Sequence, residues 1–132
     1  MEGKQHFGPP SFRGRYFGVA ALVAAQYAIG ALHFGAGIAL LVLGIPEIYS
    51  VYTVIFSVLV IVFAYGMWKT MRIGWIGTVA VSIFVISADS LALLDLPTIP
   101  GIPKFAGFGE ITYSVIAIIY LLQSHVRAKY KI

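Results

Sequence analysis

The sequence predicts an all-α membrane protein, with four transmembrane helices packed as an antiparallel bundle. Of its 132 residues, 60% are hydrophobic and only 11% are charged, which leaves too little polar surface for a water-soluble globule. The apolar residues fall in four long runs, each close to the ~20 residues that a helix needs to cross a hydrocarbon core of ~30 Å. We predict spans near 17–43, 48–68, 74–94 and 108–126, which form a single domain, 1–132.

The first two connections are short. Gly44-Ile45-Pro46-Glu47 ends the first span and begins the second, because glycine suits a helix C-terminus and proline with an acidic residue suits a helix start. Lys69-Thr70-Met71-Arg72 connects spans two and three. Such short connections make consecutive spans antiparallel neighbours. The first run is too long for a signal-peptide core and carries Gln26 and His33, so we predict a retained helix.

The third connection is a Pro-rich outer loop, residues 95–107, with Pro97, Pro100 and Pro103. Each proline removes a backbone donor and disfavours helix in the residue before it. The loop is also apolar, unlike a solvated segment. We therefore expect it to cap the outer ends of the helices, with partner docking as an alternative.

The basic residues predict the orientation. Eight of the nine lie in the N-terminal arm, in the 69–72 connection or after span four, and only Lys104 lies on the opposite side, with Glu47, Asp95 and Glu110. Basic loop residues stay on the cytoplasmic side. We expect a multi-pass cell-membrane protein with both termini cytoplasmic. Nucleic acid is not an expected partner, because no basic face is interleaved with stacking aromatic residues.

Each span carries small or polar residues at helical spacing, and we expect these faces to line the bundle interior. The candidate intramembrane polar site drawn from them and from the outer loop comprises Asp89, His33, Gln26, Glu110, Tyr113 and Lys104. Helix packing alone is one explanation of the stripes, and a polar path for a solute is another. Glu47 and Glu110 also suit the starts of spans two and four, where the helix dipole stabilises anions.

Asp89 is the most informative residue of this set. It lies roughly 7–8 Å below the predicted end of span three, at 1.5 Å per residue, where an unpaired carboxylate facing lipid is costly. We expect it to face the bundle or the outer loop, with Lys104 and Tyr113 as its partners. Its role is either structural, by holding the loop or reaching water, or proton- or cation-linked.

The sequence offers no catalytic arrangement. It contains no cysteine, and its other two histidines, His6 and His125, lie far from the depth of His33, so haem ligation would need a second subunit. No nucleophile–base pair or metal-binding motif is present. We expect a protein that is not an enzyme and that has no catalytic residues, metal site or bound cofactor.

Two segments resemble a widespread group of small prokaryotic, largely archaeal and bacterial, four-helix membrane proteins of unknown function. The first is Ala64-Tyr65-Gly66-Met67-Trp68-Lys69 followed by Trp75, and the second is the segment 120–130, YLLQSHVRAKY. The resemblance implies the four-span layout and the absence of a soluble domain. It brings no reaction with it, and Asp89 and His33 lie outside the matching residues.

Three hypotheses of function follow. The first is an accessory or structural subunit of a larger membrane complex or homo-oligomer, in contact with lipids and other membrane subunits. The second is a small transporter or channel with a polar path that includes Asp89 and His33. It would have to be oligomeric, because one four-helix protomer is too thin to enclose much of a cavity. The third is binding of a lipid, quinone or haem between helices.

Overall fold

A computed structural model describes residues 11–12, 15–44, 48–100 and 104–132. Two short strands, β1 (Ser11–Phe12) and β2 (Arg15–Tyr16), pair antiparallel before the first helix. The described helices are α1 (Phe17–Val42), α2 (Ile48–Trp68), α3 (Arg72–Leu93), α4 (Lys104–Leu121) and α5 (Ser124–Lys129). The described part of the chain is therefore helical, apart from one short β-hairpin that the sequence did not lead us to expect.

Three helices, α1, α2 and α3, are long and apolar enough to cross a membrane. The fourth, α4, is shorter, and its apolar part is Gly107–Leu121. This architecture is compatible with a helical membrane bundle. The predicted bounds agree with α1, α2 and α3 to within two residues at each end.

Successive helices run in opposite directions. Gly30 of α1 lies against Ile61 of α2, and Gly37 lies against Val54, so residue numbers rise along one helix as they fall along the other. Near the other pair of helix ends, the Trp75 indole N–H of α3 donates to the Leu121 carbonyl of α4 at 2.9 Å. We call the end of the bundle that holds Phe17, Trp68, Arg72 and Leu121 the basic end. The opposite end, with Val42, Ile48, Leu93 and Lys104, is the acidic end.

Helices α2 and α3 approach each other closely beside the turn that joins them. Gly66 and Gly74 face each other there, so that a Cβ on Gly74 would overlap backbone atoms of Gly66 and Met67. The backbones can approach this closely because neither residue has a side chain. The turn between these helices closes with Thr70 at φ 58° and a bond from the Met71 N–H to the Gly66 carbonyl at 2.8 Å.

The apolar core lies at the basic end. It consists of Val19, Leu22, Val23, Ala64, Met67, Ala117, Leu121, Val126 and Tyr130. The C-terminal α5 completes it, because Tyr130 is 2% exposed and its hydroxyl donates to the Met67 carbonyl at 2.6 Å. One end of the bundle is thus densely filled with apolar side chains.

The prediction of a fourth span at 108–126 is wrong at both ends, because α4 runs over Lys104–Leu121. The chain leaves the helix at Gln123, whose backbone is extended (φ −62°, ψ 140°). The Trp75 indole N–H donates to the Leu121 carbonyl at the point where the hydrogen bonds of α4 end. The chain then turns into α5, which places Val126 and Tyr130 in the core.

The described part of the outer loop folds back on α3. The Leu96 N–H donates to the Leu91 carbonyl at 2.8 Å, the Thr98 hydroxyl donates to the Ala88 carbonyl at 3.0 Å, and Asp95 takes a left-handed conformation (φ 57°). These bonds satisfy carbonyls at the end of the helix, as expected of a cap. Residues 101–103 and the 45–47 connection, with Glu47, lie outside the described residues.

Candidate intramembrane binding site

A cavity of about 300 Å³ lies between helices α1, α2, α3 and α4. Its walls are mostly apolar, with a few polar side chains among them. The lining residues are Gln26, Ile29, His33, Phe56, Val60, Thr78, Val81, Ser82, Val85, Gly109, Glu110, Tyr113 and Ser114. One protomer therefore bounds a space of this size with its own helices.

Helix packing and small side chains account for this space. Helix α4 packs along α3 but contacts α1 at few points, which leaves a gap between α1 and α4. Small residues widen the gap, because Ser82 and Ser114 replace the larger apolar side chains that fill the basic end. A Cβ on Gly109 would meet no atom within 4 Å. The cavity is therefore a consequence of small residues at core positions.

Two buried polar atoms of the cavity wall lack a hydrogen-bond partner among the described residues. Gln26 Nε2 donates to Thr78 Oγ1 at 3.1 Å, but Gln26 Oε1 is left without a donor, and the Tyr113 hydroxyl is also unpartnered. A buried polar group without a partner is costly, at about 1–3 kcal/mol. Both side chains line the cavity, so a small rotation of either would let a polar group there reach the atom.

His33 connects α1 to α4. Its Nδ1 lies 2.8 Å from the Ile29 carbonyl, and because a carbonyl only accepts, Nδ1 carries the hydrogen. Its Nε2 then faces Glu110 Oε1 at 3.5 Å. The Phe56 ring contacts the imidazole edge-on, with centroids 5.8 Å apart. The backbone bond thus fixes the orientation of the ring and directs Nε2 at Glu110.

Asp89 is buried, at 3% exposure, so the prediction that it faces the interior is confirmed. Its acidic neighbour is Glu110 of α4, whose side chain lines the same small space. No N–H or O–H donor of the described residues reaches Asp89 Oδ2. Gly107 of α4 lies against the Asp89 side chain, and a Cβ there would make an ordinary contact with it at 3.6 Å.

A second, smaller void of about 20 Å³ lies against this pair of carboxyl groups. It is lined by His33, Tyr49, Tyr52, Thr53, Phe56, Asp89 and Glu110. A space of this size holds about one water molecule. His33, Phe56 and Glu110 line both spaces and form a shared wall between them.

The structure brings together five of the six predicted site residues, namely Gln26, His33, Asp89, Glu110 and Tyr113. Lys104 is not among them. It pairs with Asp95 at the surface, so the prediction that Lys104 and Tyr113 are the partners of Asp89 is wrong. Lys104 pairs instead with Asp95, which precedes it by nine residues in the sequence.

The helix-dipole interpretation of Glu110 is also wrong. Since α4 begins at Lys104, Glu110 lies about two turns inside the helix and beyond its first-turn N–H groups. Ser114 is a buried site residue that the sequence analysis missed. Its position four residues after Glu110, on the same face of α4, is the signal that could have identified it.

No group of three or more His, Asp or Glu side chains in the described part of the chain is arranged to hold a metal ion. A scan against models of protein families gives no match, and searches of curated proteins and of solved structures find no significant similarity.

Proposed function

We propose that this chain is a non-enzymatic, multi-pass membrane protein that binds an elongated, mostly apolar small molecule of the lipid or quinone class between its helices. The cavity of about 300 Å³ is the observation that supports this function. Small-molecule sites are concave, largely apolar and about 300–1,000 Å³, with a few polar groups that orient the ligand, and they occur between the helices of bundles.

The polar groups define the ligand further. Gln26 and His33 are seven residues apart on α1, or about 10 Å along the helix. Gln26 Oε1 requires a donor, whereas the Tyr113 hydroxyl can donate or accept. A hydroxyl group on an apolar body can donate to Gln26 Oε1 and accept from Tyr113, whereas a carbonyl group can only accept from the Tyr113 hydroxyl. A quinol head group and the glycerol hydroxyl of a lipid supply the donor, and a quinone or an ester carbonyl supplies only the acceptor.

The proposal can be tested with a substitution that fills the cavity. Val85 lines it and is buried, whereas Val58 is on the lipid-facing side of α2 at 44% exposure. We expect Val85→Phe to lower the amount of bound small molecule per protein at least tenfold and Val58→Phe to leave it unchanged. The measurement is extraction and mass spectrometry of what co-purifies in mild detergent, together with native mass spectrometry of the intact protein. Equal ligand content in the two variants would contradict the proposal.

A second candidate is a subunit of a larger complex or homo-oligomer. It is favoured by an unpartnered face of α1 on which small residues recur at heptad spacing. The exposed residues of this face are Ala21, Ala24, Ala28, Ala31 and Gly35. Small residues at such spacing allow a second helix to approach closely. The same native mass spectra distinguish the two candidates, since only a complex adds protein mass, and a bare monomer would count against this one.

We also propose that α4 is a fourth span and that both termini are cytoplasmic in the cell membrane. Lys69 and Arg72, at the basic end, and the basic residues of the C-terminal segment support this orientation. The chain has no cysteine, so single probe cysteines can be introduced. A cysteine at Thr98 should react with an impermeant reagent in intact cells, and one at Thr70 only after permeabilisation. The reverse pattern would overturn the orientation.

A further inference from the structure

We infer that His33, Glu110 and Asp89 hold exchangeable protons inside the bundle and that ligand binding in the adjoining cavity is linked to their protonation. The linkage rests on the proposed function, whereas the proton site rests on its own geometry. Three proton-accepting positions, which we call the row, lie together on α1, α4 and α3, namely His33 Nε2, the Glu110 carboxyl and the Asp89 carboxyl.

The hydrogen bonds allow the protons to be counted. Because the Ile29 carbonyl holds the Nδ1 hydrogen, the contact between Nε2 and Glu110 needs one more proton, on either the imidazole or the carboxyl group. A second proton is favoured on Asp89 or Glu110, because both carboxyl groups line one small void, no donor of the described residues reaches Asp89 Oδ2, and two neighbouring carboxylates disfavour each other. The row therefore holds two protons on three positions, and its net charge is zero. Loss of one proton leaves a net charge of −1.

The surroundings favour the neutral state. The groups that face the row are the Tyr49 and Tyr52 side chains from α2 and Tyr113 from α4. Neither space is lined by Lys or Arg among the described residues. With no fixed positive charge beside it, the row keeps neutrality by holding protons, because an isolated charge in a low-dielectric interior is costly.

The shared wall provides the link to the ligand. A molecule in the larger cavity touches His33 and Glu110, while Asp89 lies beyond them on the water-sized void. Filling the cavity excludes water from one side of the row and disfavours its charged form further. Ligand binding and protonation therefore favour each other. Affinity is highest where the row is neutral and falls as pH rises through the loss of a proton from it, by up to about tenfold per pH unit for one proton.

The proton site is tested without ligand by infrared pH-difference spectroscopy of the purified protein in detergent. We expect the C=O stretching band of a protonated carboxyl group to be lost as pH rises. The band should be absent in Asp89→Asn and present in Asp95→Asn, which changes an exposed carboxylate that pairs with Lys104. If the wild-type protein has no titrating carboxyl band, the proton site is refuted whatever the variants do.

The linkage is tested with decylubiquinone as probe, by titration calorimetry in detergent at several pH values. We expect Kd to rise with pH in the wild type and in Asp95→Asn, and to lose this dependence in Glu110→Gln. Binding with a pH-independent Kd in the wild type would overturn the linkage. Failure of decylubiquinone and of the co-purifying molecule to bind at any pH would count against the proposed function, while the infrared band still decides whether the proton site exists.

Discussion

Replacing Gly74 with alanine is expected to destabilise the protein by about 3 kcal/mol, at the upper end of the range for overpacked cores. The new Cβ would overlap backbone atoms of Gly66 and Met67. Backbone atoms have no alternative rotamer, so α2 and α3 must separate along the contact. The measurement is equilibrium unfolding in mixed micelles of mild detergent and SDS, followed by helical circular dichroism.

Two other helical glycines provide the matched series. A Cβ on Gly66 would lie 3.0 Å from the Gly74 Cα, whereas a Cβ on Gly35 would meet no atom within 4 Å. We expect Gly66→Ala to destabilise less than Gly74→Ala, and Gly35→Ala to be neutral or slightly stabilising, since alanine is the better helix former. Equal effects at Gly74 and Gly35 would mean that helix propensity, and not the close α2–α3 contact, decides the outcome.

Replacing Tyr130 with alanine is expected to release α5 from the basic end, with a loss of about 3–5 kcal/mol, as for large aromatic residues in cores. Tyr130 is almost fully buried among Met67, Leu121 and Val126, and its hydroxyl donates to the Met67 carbonyl. Limited trypsin digestion measures the release, because Arg127 and Lys129 lie within α5 and become cleavable when it detaches.

A conservative variant and a matched control separate the contribution of the Tyr130 hydroxyl from that of its apolar contacts. Tyr130→Phe removes only the hydroxyl and should cost about 1 kcal/mol, the usual net value of one hydrogen bond. Tyr65→Ala removes a tyrosine at the same end that is 53% exposed and should leave the digestion rate near that of the wild type. If Tyr130→Phe is cleaved as fast as Tyr130→Ala, the hydroxyl bond rather than the apolar contacts holds α5.

The interior faces of α1, α2 and α3 could be predicted from the sequence. Gln26, Ser57 and Thr78 belong to stripes of small or polar residues at helical spacing, and all three are buried. The prediction succeeds because a helix with one polar face turns that face away from lipid whatever its neighbours are. The bounds of α1 to α3 followed from local signals of the same kind, such as Gly44, which has φ 74°.

The end of α4 could not be predicted in this way. The break near Gln123 depends on contacts that are distant in sequence, since Trp75 reaches Leu121 and Tyr130 reaches Met67. The local sequence at 120–126 is apolar enough to continue a helix, and only the packed basic end shows where it stops. The β-hairpin before α1 pairs only two residues with two, which is too short for a recognisable alternation.

Most residues of the site could be predicted from the sequence, but which of them contact each other could not. Asp89 and His33 stand out because an ionisable residue within an apolar run needs a partner. The partner of each residue depends on the rotation of α4 about its axis, and the sequence does not determine that rotation. The observed rotation turns Glu110 toward both residues and leaves Lys104 at the surface with Asp95.

The unequal helix lengths bear on the relation between this protein and the thickness of its bilayer. Helix α1 has 26 residues and α4 has 18, which correspond to lengths of about 39 Å and 27 Å at 1.5 Å per residue. A hydrocarbon core of about 30 Å is shorter than the first helix and longer than the second. With α4 as the proposed fourth span, the first would tilt and the acyl chains beside the second would compress, each at fractions of a kcal/mol per ångström of hydrophobic mismatch. Lengthening the lipid tails relieves the tilt of α1 and increases the compression beside α4, the helix that carries Glu110.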